Sequence, residues 1–113
     1  MFEKNLNIGL LLDFYGEVLS ERKRNLLDLY YNEDFSLAEI AENEGISRQG
    51  VRDNIKKAED ELLFLEEKLG LSKRFSLIKE STEKMISVSK GLDIPVELKF
   101  QIELLAKNVL GNI

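Results

Sequence analysis

Residues 35–57 read FSLAEIAENEGISRQGVRDNIKK, and the fold of the chain turns on them. Ser36 has the side chain of a helix N-cap, and Glu39 three residues later can reach back to complete a capping box. Phe35 before the cap and Ile40 beyond it are the pair that a hydrophobic staple uses. The grammar repeats with Ile46, Ser47 and Val51, so two helix starts stand eleven residues apart. That leaves room for about two helical turns and one sharp corner. Gly45 falls at the corner, where a glycine takes a positive φ without a Cβ clash. Ala41 is small where two helices must cross closely. Two short helices about a tight turn, the second offering its outer face to a partner, make a helix-turn-helix. An αα-hairpin used only for packing has the same caps and staples, so spacing alone leaves that alternative open. Glu44, just before the turn glycine, stands where such motifs commonly carry an apolar side chain.

Downstream, the second motif helix does not stop at Lys57. Val51, Ile55, Ala58, Leu62, Leu65 and Leu69 follow at alternating steps of four and three residues, with no breaker before Gly70. Such a helix, roughly 22 residues and about 33 Å long, outreaches a three-helix unit. Leu63 and Phe64 add apolar surface beside the seam. Either the C-terminal helices or a second copy must cover this face, and a homodimer is the expectation. Past Gly70, Ser72 is the expected cap of a helix reaching Gly91. Pro95 then suits the first turn of a last helix, with Leu98, Ile102, Leu105 and Val109 along one face.

Upstream, Ile8, Leu11, Leu12, Tyr15 and Leu19 keep helical spacing from Asn5 to Leu19, with a close helix crossing expected at Gly16. Ser20 can cap a second helix reaching about Asn32. Its first turn holds Arg22, Lys23 and Arg24, which read either as a solvated face or as a phosphate-contacting cluster. The expectation is an all-α chain in two parts. Residues 1–71 form a helix-turn-helix domain with an extended second motif helix. Residues 72–113 form a C-terminal two-helix arm packed on that domain or on a dimer partner.

Composition narrows the function. In 113 residues, 43% are apolar and 33% charged, which suits one globular domain or a domain with an arm. The absence of cysteine and histidine removes disulfides, imidazole or thiolate metal sites, and any nucleophile that depends on a histidine base. No phosphate-binding GxxxxGK[ST] or GxGxxG loop occurs. The densest carboxylate run, Glu59, Asp60 and Glu61, is expected on solvated helix surface rather than in a cleft. No catalytic residue, cofactor or metal is expected, and the protein reads as a non-enzyme. With no signal sequence and no apolar run long enough to cross a bilayer, a cytoplasmic location without membrane insertion is expected.

The net charge is −5, and residues 20–69 hold the acidic surplus while residues 70–113 are basic on balance. Groove contact must therefore come from a local cationic stripe. With Val51, Ile55 and Ala58 facing inward, Gln49, Arg52, Asp53 and Lys56 point outward at 100° per residue, with Arg48 on the flank. Ser47 and Arg48 begin the helix, where backbone N–H groups and the dipole can hold a phosphate. Arg52 and Gln49 have the donors for guanine and adenine edges, and Lys56 could meet the backbone. Asp53 would repel phosphate and suits only a base amine or the groove's edge. The candidate nucleic-acid-binding residues are thus Ser47, Arg48, Gln49, Arg52 and Lys56.

LLLDFYGEVLSERKR, LYYNEDFSLAEIAENEGISRQGVRDNIKKAE and EEKLGL together resemble the YlxM family of small bacterial helix-turn-helix proteins, from about Leu10 to Leu71. The motif is also similar to region 4 of bacterial sigma factors, which reads the −35 promoter element. The resemblance implies a cytoplasmic, all-helical, non-enzymatic protein. It also implies a link to the signal recognition particle pathway, because genes of the family neighbour those of the particle's GTPase and its receptor. DNA is then one expected partner, and the particle's protein or RNA the alternative. Carried onto this chain, the sigma-like reading head is Ser47, Arg48, Gln49, Arg52, Asp53 and Lys56. Two departures matter: Arg52 stands where the family commonly has tyrosine, and Glu44 where it has an apolar residue.

Overall fold

Both helix starts of the motif form around their capping serines. In the computed structural model, which describes residues 4–113 and Leu6 by its backbone only, α3 (Leu37–Glu44) springs from Ser36. The Ser36 Oγ accepts from the Glu39 N–H at 3.1 Å, and the Glu39 carboxylate accepts from the Ser36 N–H at 3.1 Å. These are the two halves of a capping box. Gly45 then turns left-handed at φ 68°, and the Ile46 N–H reaches back to the Ala41 carbonyl at 3.2 Å. That is the six-to-one closure of a helix whose last carbonyls need donors. α4 (Arg48–Leu69) follows at once from Ser47, whose Oγ accepts from the Gly50 N–H at 2.9 Å. It runs unbroken to Gly70, left-handed again at φ 64°.

Three helices of the N-terminal unit pack on α4. The chain divides into two compact units, Met1–Ser72 and Lys73–Ile113. In the first, α1 (Leu6–Tyr15), α2 (Glu21–Tyr31) and α3 each lie against α4. Val51, Ile55, Ala58 and Leu62 are fully buried, with Leu11, Tyr15, Leu26, Leu27 and Ile40 around them. At ~1.5–3 kcal/mol per buried large side chain, this cluster is the main stabilising contribution. The heptad seam is therefore covered within the chain as far as Leu65, which is half-buried, and Leu69 alone of its six residues is exposed. The three-helix surround explains why so long a helix needs no second copy along most of its length.

Three local readings are corrected. The helix expected from Asn5 to Leu19 ends at Tyr15, and Gly16–Val18 form a 3-10 turn. Asn5 serves as the cap, its side chain accepting from the Asn7 N–H at 3.0 Å. Across the tighter turn Leu19 stays buried and Val18 faces out. Gly16 makes room for Leu12 of α1, since an added Cβ would sit 3.3 Å from the Leu12 Cδ1. The Arg24 Cδ of α2 comes next, at 3.9 Å.

The second correction concerns Ser72. α5 (Leu71–Lys90) starts directly after Gly70, so Ser72 lies buried in the first turn rather than at the cap. The opening N–H groups find partners elsewhere: Leu71 donates to the Tyr15 hydroxyl at 2.9 Å, and Ser72 to Glu66 Oε1 at 3.0 Å. The third is Glu59, expected on solvated surface and only 8% exposed.

The second unit holds the rest of α5 and α6 (Val96–Gly111), with Pro95 at the N-cap position accepting from Leu98 and Lys99. Its buried residues are Thr82, Ser89 and Ala106, and of the stripe expected on α6 only Ile102 is even half-buried. The fully buried residues here are small, Phe75, Ile86, Ile94, Ile102 and Leu110 are half-buried, and the other large apolar residues are exposed. Among the described residues there is no strand, and no helix is long and apolar enough to cross a membrane.

Candidate nucleic-acid interface

The first three turns of α4 carry two faces. Val51, Ile55 and Ala58 face the core with no exposed area, which fixes the roll of the helix about its axis. Ser47, Arg48, Gln49, Arg52, Asp53 and Lys56 are all exposed as a direct result. A 3.6-residue period leaves the intervening positions nowhere else to go. The direction of the helix is set at its start, where Ser47 caps it and Gly45 turns the chain. Asn54 adds a brace within the helix, donating to the Gly50 carbonyl at 2.8 Å. Gly50 itself has no spare room: an added Cβ would meet the Ser47 Oγ at 3.1 Å.

The polar residues of the stripe are engaged along the helix. Gln49 Nε2 donates to Asp53 Oδ1 at 2.9 Å, and Lys56 Nζ pairs with Asp60 at 3.2 Å. Both are exposed contacts four residues apart, each worth about 0.2–0.5 kcal/mol. A bidentate contact to a base edge is worth about 1–3 kcal/mol, so these contacts can be exchanged for a ligand's. Asp53 is then a local partner for Gln49 rather than an unshielded charge pointing at a phosphate. Arg48 and Arg52 supply the fixed cationic character of the stripe.

The three cations that open α2 do not gather there. Lys23 pairs with Glu61 of α4 at 3.1 Å, Arg24 lines an open groove with Asp13 and Glu17 of the N-terminal segment, and Arg22 lies beside Glu44 at the motif's turn. Successive residues on a helix are 100° apart, so three in a row must diverge. Of the three, Arg22 is the one near the motif's corner, and Glu44 is half-exposed there rather than packed inward as an apolar residue would be.

Farther along α4, Glu59 ends a partly buried polar chain that the sequence reading missed. The Asn5 N–H donates to the Tyr31 hydroxyl at 3.3 Å, which donates to Glu59 Oε1 at 3.0 Å. Burial pushes the Glu59 carboxyl up, against the pull of the Tyr31 hydrogen bond. Burial also holds Tyr31 up to about 12. The signal was present: Glu59 lies four residues after Ile55 and three before Leu62, on the buried arc of the helix. Nearby, Lys4 pairs with Asp34 at 2.6 Å and sits 4.7 Å over the Tyr30 ring. Its hydrogen bond holds the Asp34 carboxyl below the usual range. Asp34 has φ 59°, a left-handed geometry that aspartate tolerates better than most residues.

Comparison with known proteins agrees with this architecture. A family model described as "Putative helix-turn-helix protein, YlxM / p13 like" (UPF0122) matches residues 2–97. A UPF0122 protein of Acetivibrio thermocellus is 48% identical over 92 residues, covering 81% of this chain and 79% of its own. One from Clostridium kluyveri is 48% identical over 90 residues, covering 80% and 81%. One from Bacillus velezensis is 42% identical over 105 residues, covering 93% and 96%.

Proposed function

This chain belongs to the UPF0122 family of YlxM / p13-like helix-turn-helix proteins, and from that premise we propose that it is a non-catalytic regulatory protein whose α4 enters the major groove of DNA. One observation carries the reading. The side of α4 opposite the buried Val51, Ile55 and Ala58 presents Arg48, Gln49, Arg52 and Lys56 to solvent from a capped helix start. Ser47 and the free end of the helix dipole receive a phosphate, Arg52 and Gln49 meet base edges, and Lys56 tracks the backbone.

A second reading has its own support: an accessory factor that holds the protein or RNA of the signal recognition particle through the same fold. The acidic surplus of residues 20–69 favours it, because it opposes sliding on DNA. Capture of partners from a cell lysate by the full chain, with and without nuclease, separates the two. Recovery of discrete DNA fragments that nuclease abolishes supports the regulator. Particle protein retained after nuclease, with no DNA recovered, overturns it in favour of the accessory role.

A further inference from the structure

We propose that the hairpin of α5 and α6 is a dimerisation surface whose occupant is the same hairpin of a second copy of this chain. The observation behind it is an inversion of the usual pattern. In this unit the buried residues are Thr82, Ser89 and Ala106, whereas Leu77, Met85, Val88, Leu98, Leu105 and Val109 are between 45% and 61% exposed. Single exposed aliphatic residues need no explanation, but contiguous ones do.

Those of α6 share a stripe. Leu98, Ile102, Leu105 and Val109 stand at steps of four, three and four residues, within a narrow stripe of α6. Ile102 also lines a shallow apolar groove with Met85, Val88 and Leu92 of the other limb. A ridge on α6 thus runs beside a groove. Such a surface is self-complementary under a twofold rotation, which lays the ridge of each copy in the groove of the other.

Area and charge point to the same occupant. Half-exposed aliphatic side chains of this size leave roughly 60–100 Å² each, so these six and Leu92 offer roughly 400–700 Å² of apolar surface. A stable interface takes about 800 Å² from each partner, polar rim included, and a typical monomer's largest patch is about 300–600 Å². Lys84 is the one charged residue on the groove lining, so a strongly acidic or basic partner finds little there to read. A copy of the same neutral face matches it. The inference does not depend on what α4 binds.

The test is the mass of the full-length chain in solution over a range of concentrations, by analytical ultracentrifugation. Met85→Glu and Leu105→Glu put a charge on each limb at exposed positions, where folding tolerates it, and circular dichroism checks helicity. Phe100→Glu is the control, since Phe100 is also exposed but lies about 140° around α6 from Leu105. The expected result is a dimer at micromolar concentration, weakened at least about tenfold by either of the first two changes and not by the third. Three results overturn the proposal: a chain that stays monomeric at roughly 100 µM, a dimer that only Phe100→Glu disrupts, or a monomer that associates through this face with a different protein alone.

Discussion

The Tyr15 hydroxyl donates to Glu66 Oε1 at 2.7 Å, joining the end of α1 to the last turn of α4 across 51 residues of sequence. The same hydroxyl accepts from the Leu71 N–H and the same carboxylate from the Ser72 N–H, so the pair serves as the cap that α5 otherwise lacks. Tyr15 is almost wholly buried. Tyr15→Phe keeps the ring and removes this bridge, leaving a helix start without its acceptor. A loss of about 1–3 kcal/mol is expected in denaturant unfolding. In a double-mutant cycle with Glu66→Ala, the two losses should be less than additive, because one interaction is being removed twice.

Glu59 should make the protein less stable as pH rises. Its folded-state value is raised above the ordinary 4.5 by burial. The native state therefore binds this proton more tightly than the unfolded chain does. The stabilisation is fully present below the unfolded value and is lost as pH climbs through the folded one. Glu59→Gln keeps an acceptor for Tyr31 and carries no charge. The variant is expected to be more stable than the parent at neutral pH, with the gain vanishing below about pH 4.5. Thermal unfolding across that range reads the difference.

Asp34 and Glu39 work in the opposite sense. Lys4 holds the first carboxyl down, and the Ser36 backbone N–H the second. Their contributions are present above the unfolded values of 3.8 and 4.5 and fade as pH falls through the lowered ones. Asp34→Asn, which keeps tolerance for the left-handed backbone, should flatten the acid limb of the stability profile.

Gly45 decides whether α4 is aimed at all. At φ 68° an alanine is strained, although a Cβ there would meet open space. Gly45→Ala is expected to lower stability by about 1–2 kcal/mol, and Gly45→Asn by less. Equal losses from the two would mean that the backbone angle is not what the glycine provides.

The residues show why some of this was legible in advance and some was not. Caps, staples and turn glycines are local, so Ser36, Glu39, Gly45, Ser47 and Gly70 announced α3 and α4 with their ends. The roll of α4 followed from its period, so the exposed side of Arg52 and Gln49 could be read from Val51 and Ile55. What escaped depends on contacts between distant segments. Nothing near Ser72 says that Tyr15 and Glu66 will supply its cap, and nothing near Gly16 says that the helix tightens to a 3-10 turn there. The seam of α4, expected to be covered by the C-terminal helices or by a second copy, is occupied by α1, α2 and α3. Exposed apolar side chains remain at Leu63, Phe64 and Leu69 of α4 as well as along α5 and α6.

The most direct test of the central claim is the salt dependence of DNA binding by the full chain and its Arg52→Ala variant. A helix that seats its cationic side in a groove gives an affinity that falls with salt at a log–log slope of about −0.9 per phosphate contacted. Arg52→Ala, which removes a base contact, should weaken binding by about 1–3 kcal/mol while leaving most of that slope intact. Salt-independent binding, or a variant that binds every duplex as the parent does, would contradict the account.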